Sequence, residues 1–327
     1  MRTAFAAALL IATLLAPGCR REPTAPAATP GGGAGSTAAK APDRTGQRTF
    51  AVSFQTMTNP FFVDLDEGLR EVIEAKGDTL TILDAQFDSS KQRNDISDVI
   101  LKGCDGIFLN PVNWEGIRAS LLQAQEKGIP VIVVDAPVRD EELVVSTVAS
   151  DNLKAGRLAA EALAGVLQEG EIAILHHSVN KACLDRVQGF TEVIEQHPGL
   201  KIVDTQEGKG TAEDARPVMR DLIGRFPNLA AVFPINDPSS IGAISALEAA
   251  GKLGQVRVVS VDGSQEAIAA IQAGKMLATS AQFPHEIGTE SAQTMYDHLA
   301  GKEVEKDIKV RVELIDADNA ADFVREK

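Results

Sequence analysis

The stretch FAVSFQTMTNPFFVDLDEGLREVIEAKG (residues 50–77) opens the part of the chain that decides the fold. It predicts a strand, a turn at residues 58–62 and then a helix, in which Pro60 suits the first helical position. Phe61 and Phe62 follow at once, although neighbouring residues of a helix cannot both face the same core. The pair therefore indicates that one or both rings contact a surface other than the core.

From residue 48 onward, short runs rich in Val and Ile alternate with amphipathic segments. The strand candidates are 49–55, 79–84, 106–110, 130–135, 144–148, 171–176, 201–205, 230–235, 256–261 and 277–281. The helix candidates include 61–76, 91–102, 114–127, 152–168, 185–196, 212–225, 239–250 and 286–300. Continuously apolar strands that alternate with helices predict parallel sheets covered on both faces.

The order of these elements repeats along the chain. EGLREVIE (67–74) matches QGFTEVIE (188–195), and one strand in each half ends in Asn while a later one ends in Asp. These residues are Asn110 and Asp135 in the first half, and Asn236 and Asp262 in the second. The repeat predicts two similar open α/β lobes.

The four strand-end residues define a candidate binding cleft. Ligands of open parallel sheets bind beyond the carboxyl ends of the strands, so two facing lobes would bring the four side chains together. The alternative is that these Asn and Asp residues only cap the helices that follow. The recurrence of the same polar pair in both halves favours the cleft.

The pair Phe61 and Phe62 fits such a cleft, because flat aromatic faces suit the C–H faces of a sugar ring. Asn and Asp side chains can accept from and donate to sugar hydroxyls. Alternatively, one ring belongs to the core and the other only shields the hinge.

Composition excludes several functional classes. The chain has 327 residues and a net charge of -14, which argues against nucleic acid or anionic lipid as a partner. It contains no GxSxG elbow, phosphate-binding loop or HExxH motif, so we expect no enzymatic activity, and the neighbours His176 and His177 alone do not indicate hydrolysis.

No Cys/His cluster has the spacing of metal ligands, and we expect neither a metal nor a cofactor. Cys104 and Cys183 are expected to be two buried thiols, with one disulfide as the alternative.

The N-terminus resembles a bacterial lipoprotein signal. An apolar stretch at 4–16 is too short to span a bilayer and fits a signal peptide, and Cys19 follows it in LAPGC. The resemblance implies a signal peptide over 1–19, lipidation of Cys19 and anchoring of the protein at a membrane. Leu15 lies four residues before the cysteine instead of the usual three, and plain secretion is the alternative. Residues 20–47, rich in Pro, Gly, Ala, Ser and Thr, are expected to be a disordered tether.

Beyond the tether, the chain resembles the periplasmic sugar-binding proteins of the ribose-binding type over about residues 48–315. The matching stretches are TNPFF (58–62), LNP (109–111), VVDAP (133–137), VASDN (148–152), DRVQGF (185–190), IND (235–237), VDG (261–263) and AQFP (281–284). The resemblance implies the type I periplasmic binding fold, in which two doubly wound lobes are joined by a hinge of three crossovers. It implies lobe one at 48–150 plus 283–309, lobe two at 151–282 plus 310–327, and crossovers near 149–152, 281–284 and 308–311.

The same resemblance implies a monomeric periplasmic or cell-envelope receptor. It would bind a monosaccharide or polyol by hinge closure and deliver it to an ABC transporter permease. A signalling role, with the receptor reporting to a chemoreceptor or a sensor kinase, and a non-sugar ligand on the same fold are the alternatives.

The family's binding residues transfer only to matching positions of this chain. The implied ligand-binding residues are Asn59, Phe61, Phe62, Asn110, Asp135, Arg186, Asn236, Asp262 and Gln282. The alternative for Arg186 is an ion pair with Asp185 or Glu192.

Three positions depart from the ribose-binding pattern: Ala136 stands where an Arg is usual, Val261 where an aromatic is usual, and His177 at an apolar position. His177 is a tenth candidate contact, or else a capping or surface residue. These departures put ribose itself in doubt. Trp114, the only Trp, is expected either at the cleft mouth or packed on its lobe.

Overall fold

The computed structural model describes residues 46–323. Cys19, the expected signal peptide and nearly all of the expected tether lie outside the described residues. Among the residues described, no helix combines the length and the apolar character that crossing a bilayer requires.

Strands and helices alternate along the described chain. The strands are β1 (Thr49–Phe54), β2 (Thr79–Asp84), β3 (Gly106–Leu109), β4 (Val131–Val134), β5 (Ser146–Ser150), β6 (Gly170–His176), β7 (Leu200–Glu207), β8 (Leu229–Pro234), β9 (Arg257–Asp262), β10 (Ala278–Ala281), β11 (Asp307–Val310) and β12 (Glu313–Asp316). The helices are α1 (Pro60–Ala75), α2 (Ser89–Lys102), α3 (Arg118–Glu126), α4 (Asn152–Val166), α5 (Lys181–Ile194), α6 (Ala212–Arg225), α7 (Asp237–Ala249), α8 (Gln265–Gln272) and α9 (Pro284–Leu299).

Each predicted strand and helix corresponds to an observed one, and the boundaries differ by at most four residues. The largest differences are at helix starts: α3 begins at Arg118 and α5 at Lys181, where the predictions had 114 and 185. Three of these strands and helices were not predicted, namely the short helix α8 and the strands β11 and β12, and neither was a short 3₁₀ helix at Glu141–Leu143. Both strands are partly exposed and carry charged residues, so they lack the apolar pattern that marks the inner strands.

The strands form two six-stranded sheets with the same order. One sheet runs β2-β1-β3-β4-β5-β11 and the other runs β7-β6-β8-β9-β10-β12. The pairs are parallel except that β12 runs antiparallel to β10. Two similar, mostly parallel sheets confirm the predicted fold class, and we call the sheets with their helices lobe one and lobe two. The residues at which the chain passes between the lobes stay a prediction.

Each sheet is buried on both faces, as the apolar strands predicted. In β1, Phe50, Val52 and Phe54 face one hydrophobic cluster of lobe one. Ala51, between them, belongs to the cluster on the opposite face. This alternation follows from the two-residue period of a strand, and the sheet therefore holds the strand ends in fixed positions.

Glycines bring two helix pairs into close contact. Gly68 of α1 and Gly189 of α5 occupy equivalent places in the two repeated octapeptides. A Cβ added at Gly68 would lie 2.2 Å from the carbonyl oxygen of His285 in α9, and one at Gly189 would lie 2.0 Å from that of Leu153 in α4. Neither position can hold a side chain without moving a backbone, so the repeat conserves a helix contact within the chain.

Candidate binding cleft between the lobes

The predicted residues lie where strands end and helices begin. Asn110 follows β3, Asp262 ends β9 and Gln282 follows β10. Asn59 and Asn236 cap α1 and α7, with side-chain oxygens that accept from the backbone N–H of Phe61 and Ser239. For these two Asn residues, helix capping and a place in the cleft are compatible.

Two connected cavities separate the lobes. The inner compartment has a volume of about 30 Å³ and the outer compartment about 230 Å³. The inner compartment is lined by Gln55, Asn59, Phe61, Phe62, Asp135, Asn180, Ala182, Cys183, Arg186, Asn236, Asp262 and Gln282. The outer compartment is lined by Gln55, Thr56, Thr58, Asn59, Phe62, Phe87, His177, Asn180, Cys183, Lys209, Gly210, Thr211, Ala212, Asn236 and Pro238. Because both lists contain residues of each lobe and share several members, the two compartments form one cleft.

Nine of the ten candidate contacts line this cleft, eight in the inner compartment and His177 in the outer one. Asn110 lines neither compartment. It is buried behind Asp135, and its Nδ2 donates to Asp135 Oδ2 at 2.9 Å while its Oδ1 accepts from the Gln55 N–H. Asn110 therefore positions an acid of the cleft wall from behind.

Arg186 is tied into lobe two by a buried network. Its Nε donates to Asn152 Oδ1 at 2.8 Å, and its Nη1 donates to the Ile235 carbonyl at 3.0 Å. Asp262 Oδ1 lies 3.4 Å from the same Nη1. The alternative ion pair with Asp185 or Glu192 does not form, because those acids pair with Lys181 and Arg157. Arg186 therefore presents its guanidinium to the inner compartment in a held orientation.

The two strand-end acids share an unusual backbone. Asp135 has a φ of 66° and Asp262 a φ of 139°, a region that residues with a side chain seldom adopt. Such conformations cost on the order of 1–3 kcal/mol and persist where the surrounding structure enforces them, often at functional sites. A positive φ occurs at the same strand end of both lobes, and both acids line the inner compartment.

Burial raises the pKa of Asp135 to about 7, with Arg186 and Asn110 opposing the shift and Asp262 adding to it. Asp237, which is fully buried beside the same Asp262, also has its pKa raised to about 7, again mainly by burial. Asp237 accepts from the Ser264 N–H at 2.7 Å and from Thr279 Oγ1 at 2.8 Å. It therefore fixes the loop after β9, although it does not line the cleft.

The raised pKa of Asp135 makes stability depend on pH. The folded-state pKa of about 7 lies above the ordinary 3.8, so the stability that protonation provides is complete below about pH 4 and is lost as the pH rises through 7. We expect Asp135→Asn, which mimics the protonated form, to exceed the wild type in stability by up to about 4 kcal/mol at pH 8 and by little at pH 4. Urea unfolding at both pH values measures this difference.

Asp185→Asn is the control, since Asp185 pairs with Lys181 and lines neither compartment of the cleft. An equal stability difference at pH 4 and pH 8 for Asp135→Asn would contradict the assignment of the raised pKa.

His177 has one ring nitrogen held and one without a partner. Its Nδ1 lies 3.1 Å from Glu207 Oε1, and its Nε2 is buried and makes no hydrogen bond within the described residues. Burial alone would raise the pKa of Glu207, but hydrogen bonds from Ser178 and His177 outweigh it and bring that pKa down to about 2. The ionised Glu207 makes Nδ1 the donor, so the Nε2 of a neutral His177 is an acceptor that faces the outer compartment.

The two phenylalanine rings meet edge to face, with centroids 5.2 Å apart and an interplanar angle of 85°. Both line the inner compartment, and both also belong to the hydrophobic cluster of lobe one. The alternatives of cleft and core are therefore not exclusive here. Phe62 is held from behind by Phe54, at 5.4 Å between centroids.

The two described cysteines are free thiols, as expected, but only Cys183 is fully buried, whereas Cys104 is half-buried. Cys104 lies two residues before β3 begins, outside the apolar strand, which explains the error. Burial raises the pKa of Cys183 to about 12, so this thiol of the cleft wall stays protonated. Within residues 46–323, His, Cys, Asp and Glu form no group that could hold a metal ion.

The sequence analysis missed several polar residues of the cleft, and two of them line both compartments. Gln55 and Asn180 line both compartments, and each lies in the turn after a strand, β1 for Gln55 and β6 for Asn180. Their positions at the carboxyl ends of predicted strands were the available signal. Trp114, in contrast, lines neither compartment, but its backbone N–H donates to the Val179 carbonyl of lobe two at 3.1 Å.

Comparison with known proteins agrees with this architecture. The family described as periplasmic binding protein domain matches residues 50–303. The ribose import binding protein RbsB of Bacillus subtilis is 34% identical over 268 residues, which cover 81% of this chain and 86% of that protein.

Two solved structures are similar in fold as well as in sequence. An ABC transporter solute binding protein from Mycobacterium smegmatis with bound glycerol has a TM-score of 0.81 and 30% identity, covering 86% of this chain and 98% of that one. One from Bacillus halodurans with bound myo-inositol has a TM-score of 0.80 and 27% identity, with the same two coverages of 86% and 98%. These relatives are binding proteins by name, which confirms the expectation of a binding protein and not an enzyme. The chain belongs to the periplasmic binding protein domain family.

Proposed function

We propose that this protein is an extracytoplasmic solute receptor of an ABC transporter and that it binds a neutral monosaccharide or related polyol in the cleft. The single observation that carries the proposal is the convergence of buried polar atoms without partners. Gln55 Oε1 from lobe one, and His177 Nε2 and Gln282 Oε1 from lobe two, are buried and make no hydrogen bond within the described part of the chain. Each such atom costs about 1–3 kcal/mol, which a polyhydroxylated ligand can recover by hydrogen bonding.

The charges of the cleft favour a neutral ligand. Arg186 offers donors, while Asp135 and Asp262 offer acceptors, and the guanidinium already lies against Asp262. An anionic ligand would meet two carboxyl groups, whereas a sugar hydroxyl can donate to one group and accept from another. The rings of Phe61 and Phe62 supply an apolar wall for the C–H face of the sugar.

Closure of the lobes accounts for selectivity in this proposal. The ligand binds to one lobe first, and hinge closure then buries it between both. The hydrogen bond from the Trp114 N–H to the Val179 carbonyl crosses between the lobes and forms part of the closed surface. The closed surface is what the permease recognises.

The cellular setting is also a proposal. The apolar stretch at 4–16 followed by Cys19 supports a lipid anchor in the cell envelope, and residues 20–47 would tether the receptor to the membrane. The receptor works as a monomer, because each copy contains both lobes of the cleft.

A panel of pentoses, hexoses and inositols tests the function by calorimetry and by the fluorescence of Trp114, the only Trp in the chain. We expect at least one neutral sugar to give a saturable heat signal together with a change in emission, because Trp114 contacts the opposite lobe. In Trp114→Phe the emission change should vanish while the heat remains. Silence of the wild type across the panel in both measurements would refute the proposal.

A further inference from the structure

The outer compartment is much larger than the inner compartment, which contains the buried polar cluster. Its volume of about 230 Å³ compares with about 30 Å³ for the inner compartment. A single water needs only about 10–15 Å³ by this measure, so the outer compartment can hold a substantial part of a ligand. The polar cluster of Arg186, Asp135 and Asp262 lies in the inner compartment, and the bulk of the free space lies outside it.

An exposed aromatic ring borders this space. Phe87 is 38% exposed, yet it lines the outer compartment. It follows Gln86 in a turn where both residues have positive φ, 53° for Gln86 and 59° for Phe87. The turn is held by hydrogen bonds from the Gln86 N–H to Asp84 Oδ1 at 2.9 Å and from the Phe87 N–H to the Gln55 carbonyl at 2.7 Å. A strained turn thus holds an apolar ring at the rim of the cleft, although the ring is too exposed to contribute much to core packing.

Polar groups line the same compartment as that ring. His177 Nε2 is buried at the outer compartment without a partner, and Gln55 Oε1 lies where the two compartments join. Lys209, the cation of this wall, already pairs with Asp214 at 3.3 Å. The outer compartment therefore combines an aromatic face with a hydrogen-bond acceptor and has no cation free of an acidic partner, which suits a neutral sugar ring better than an anionic group.

We propose that the outer compartment is a second subsite and that the preferred ligand is a neutral glycoside or disaccharide. One sugar unit reaches the inner polar cluster, and the glycosidic substituent packs against Phe87 and donates a hydroxyl hydrogen bond to His177 Nε2. Phe87 and Lys209 are both exposed at this end, so the substituent has an open path toward solvent. The inference rests on the proposed function, since it assigns a substrate class to the same cleft.

Calorimetry with matched ligands tests the inference. Each neutral monosaccharide is compared with its methyl glycoside and with disaccharides that contain it, for example galactose with lactose and melibiose, and glucose with cellobiose and maltose. We expect a glycoside or disaccharide to bind more tightly than its parent monosaccharide. In Phe87→Ala the ratio of the two affinities should fall about tenfold, and Phe87→Tyr should keep it.

Leu101→Ala is the matched control, because Leu101 lies on α2, the helix that follows Phe87, and is 72% exposed away from both compartments. It should leave the ratio unchanged. If monosaccharides bind but every glycosidic substituent weakens binding, or if Phe87→Ala leaves the ratio as in the wild type, the second subsite is refuted while the proposed function stands. If no sugar of either size binds, the proposed function fails and the subsite fails with it.

Discussion

Replacing Arg186 by Ala should abolish sugar binding and also destabilise the protein. Arg186 is 4% exposed, and its side chain donates to Asn152, to the Ile235 carbonyl and to Asp262. Removing one member of a buried charge pair costs about 3–5 kcal/mol, because the remaining carboxylate stays buried without its cation. For the ligand, the loss of two charge-assisted hydrogen bonds predicts at least a 100-fold weaker affinity, on the order of 3 kcal/mol. Calorimetry and urea unfolding measure the two effects separately.

A double variant separates the binding role of Arg186 from its structural role. In Arg186→Ala with Asp262→Asn the unpaired carboxylate is absent, so we expect part of the lost stability to return while sugar binding stays lost. Arg157→Ala is the control, because it removes an arginine from an ion pair on the surface. Arg157 pairs with Glu192 in an exposed ion pair that contributes about 0–1 kcal/mol, and its removal should not change binding. Restored binding in the double variant would show that Arg186 acts only through the fold.

Gly156→Ala should be among the most damaging additions of a single methyl group in lobe two. The added Cβ would lie 2.0 Å from the Arg186 carbonyl oxygen and 2.9 Å from the Phe190 nitrogen, both backbone atoms of α5. Helices α4 and α5 would have to separate, which costs about 3 kcal/mol or more and predicts a decrease in Tm of roughly 6–12 °C. Because the backbone of Arg186 is the part displaced, sugar affinity should fall as well.

Gly165→Ala on the same helix is the matched control. A Cβ there meets nothing within 4 Å, so this substitution should raise the stability by a few tenths to about 1 kcal/mol through helix propensity. Thermal unfolding by circular dichroism compares the two variants. If Gly156→Ala were as stable as the wild type, the tight contact between α4 and α5 would be wrong.

Local sequence features were sufficient to locate most strands and helices and the polar residues at the strand ends of the cleft. The apolar runs and the helical periods located ten strands and eight helices, because burial on both faces of a parallel sheet imposes a pattern within each segment. The edge strands β11 and β12 escaped, because an edge strand need not be apolar. The Asn and Asp pairs at strand ends were located for a similar reason, since the carboxyl ends of parallel strands share one edge of a sheet.

Which side chains contact one another depended on the tertiary structure. Asn110 has the same residue type and strand-end position as Asn236, yet one is buried behind Asp135 and the other caps a helix in the cleft wall. The repeated octapeptides predicted two lobes, but not that their shared glycine permits a helix contact in which an added Cβ would lie 2.0–2.2 Å from a backbone oxygen. No sequence pattern predicted that Phe87 lies at the cleft, since its position depends on the backbone conformation of its turn.

By itself the sequence determined two α/β repeats, their strand ends and the polar residues placed there, because these properties follow from periods of two and 3.6 residues along the chain. Only the tertiary structure decided that Arg186 contacts Asp262, 76 residues away, that His177 is held by Glu207, 30 residues away, and that the cleft has two compartments. The physical reason is that such contacts depend on how whole helices and sheets pack. Hydrophobic burial drives that packing and is non-directional, so the local sequence does not specify which distant residues meet.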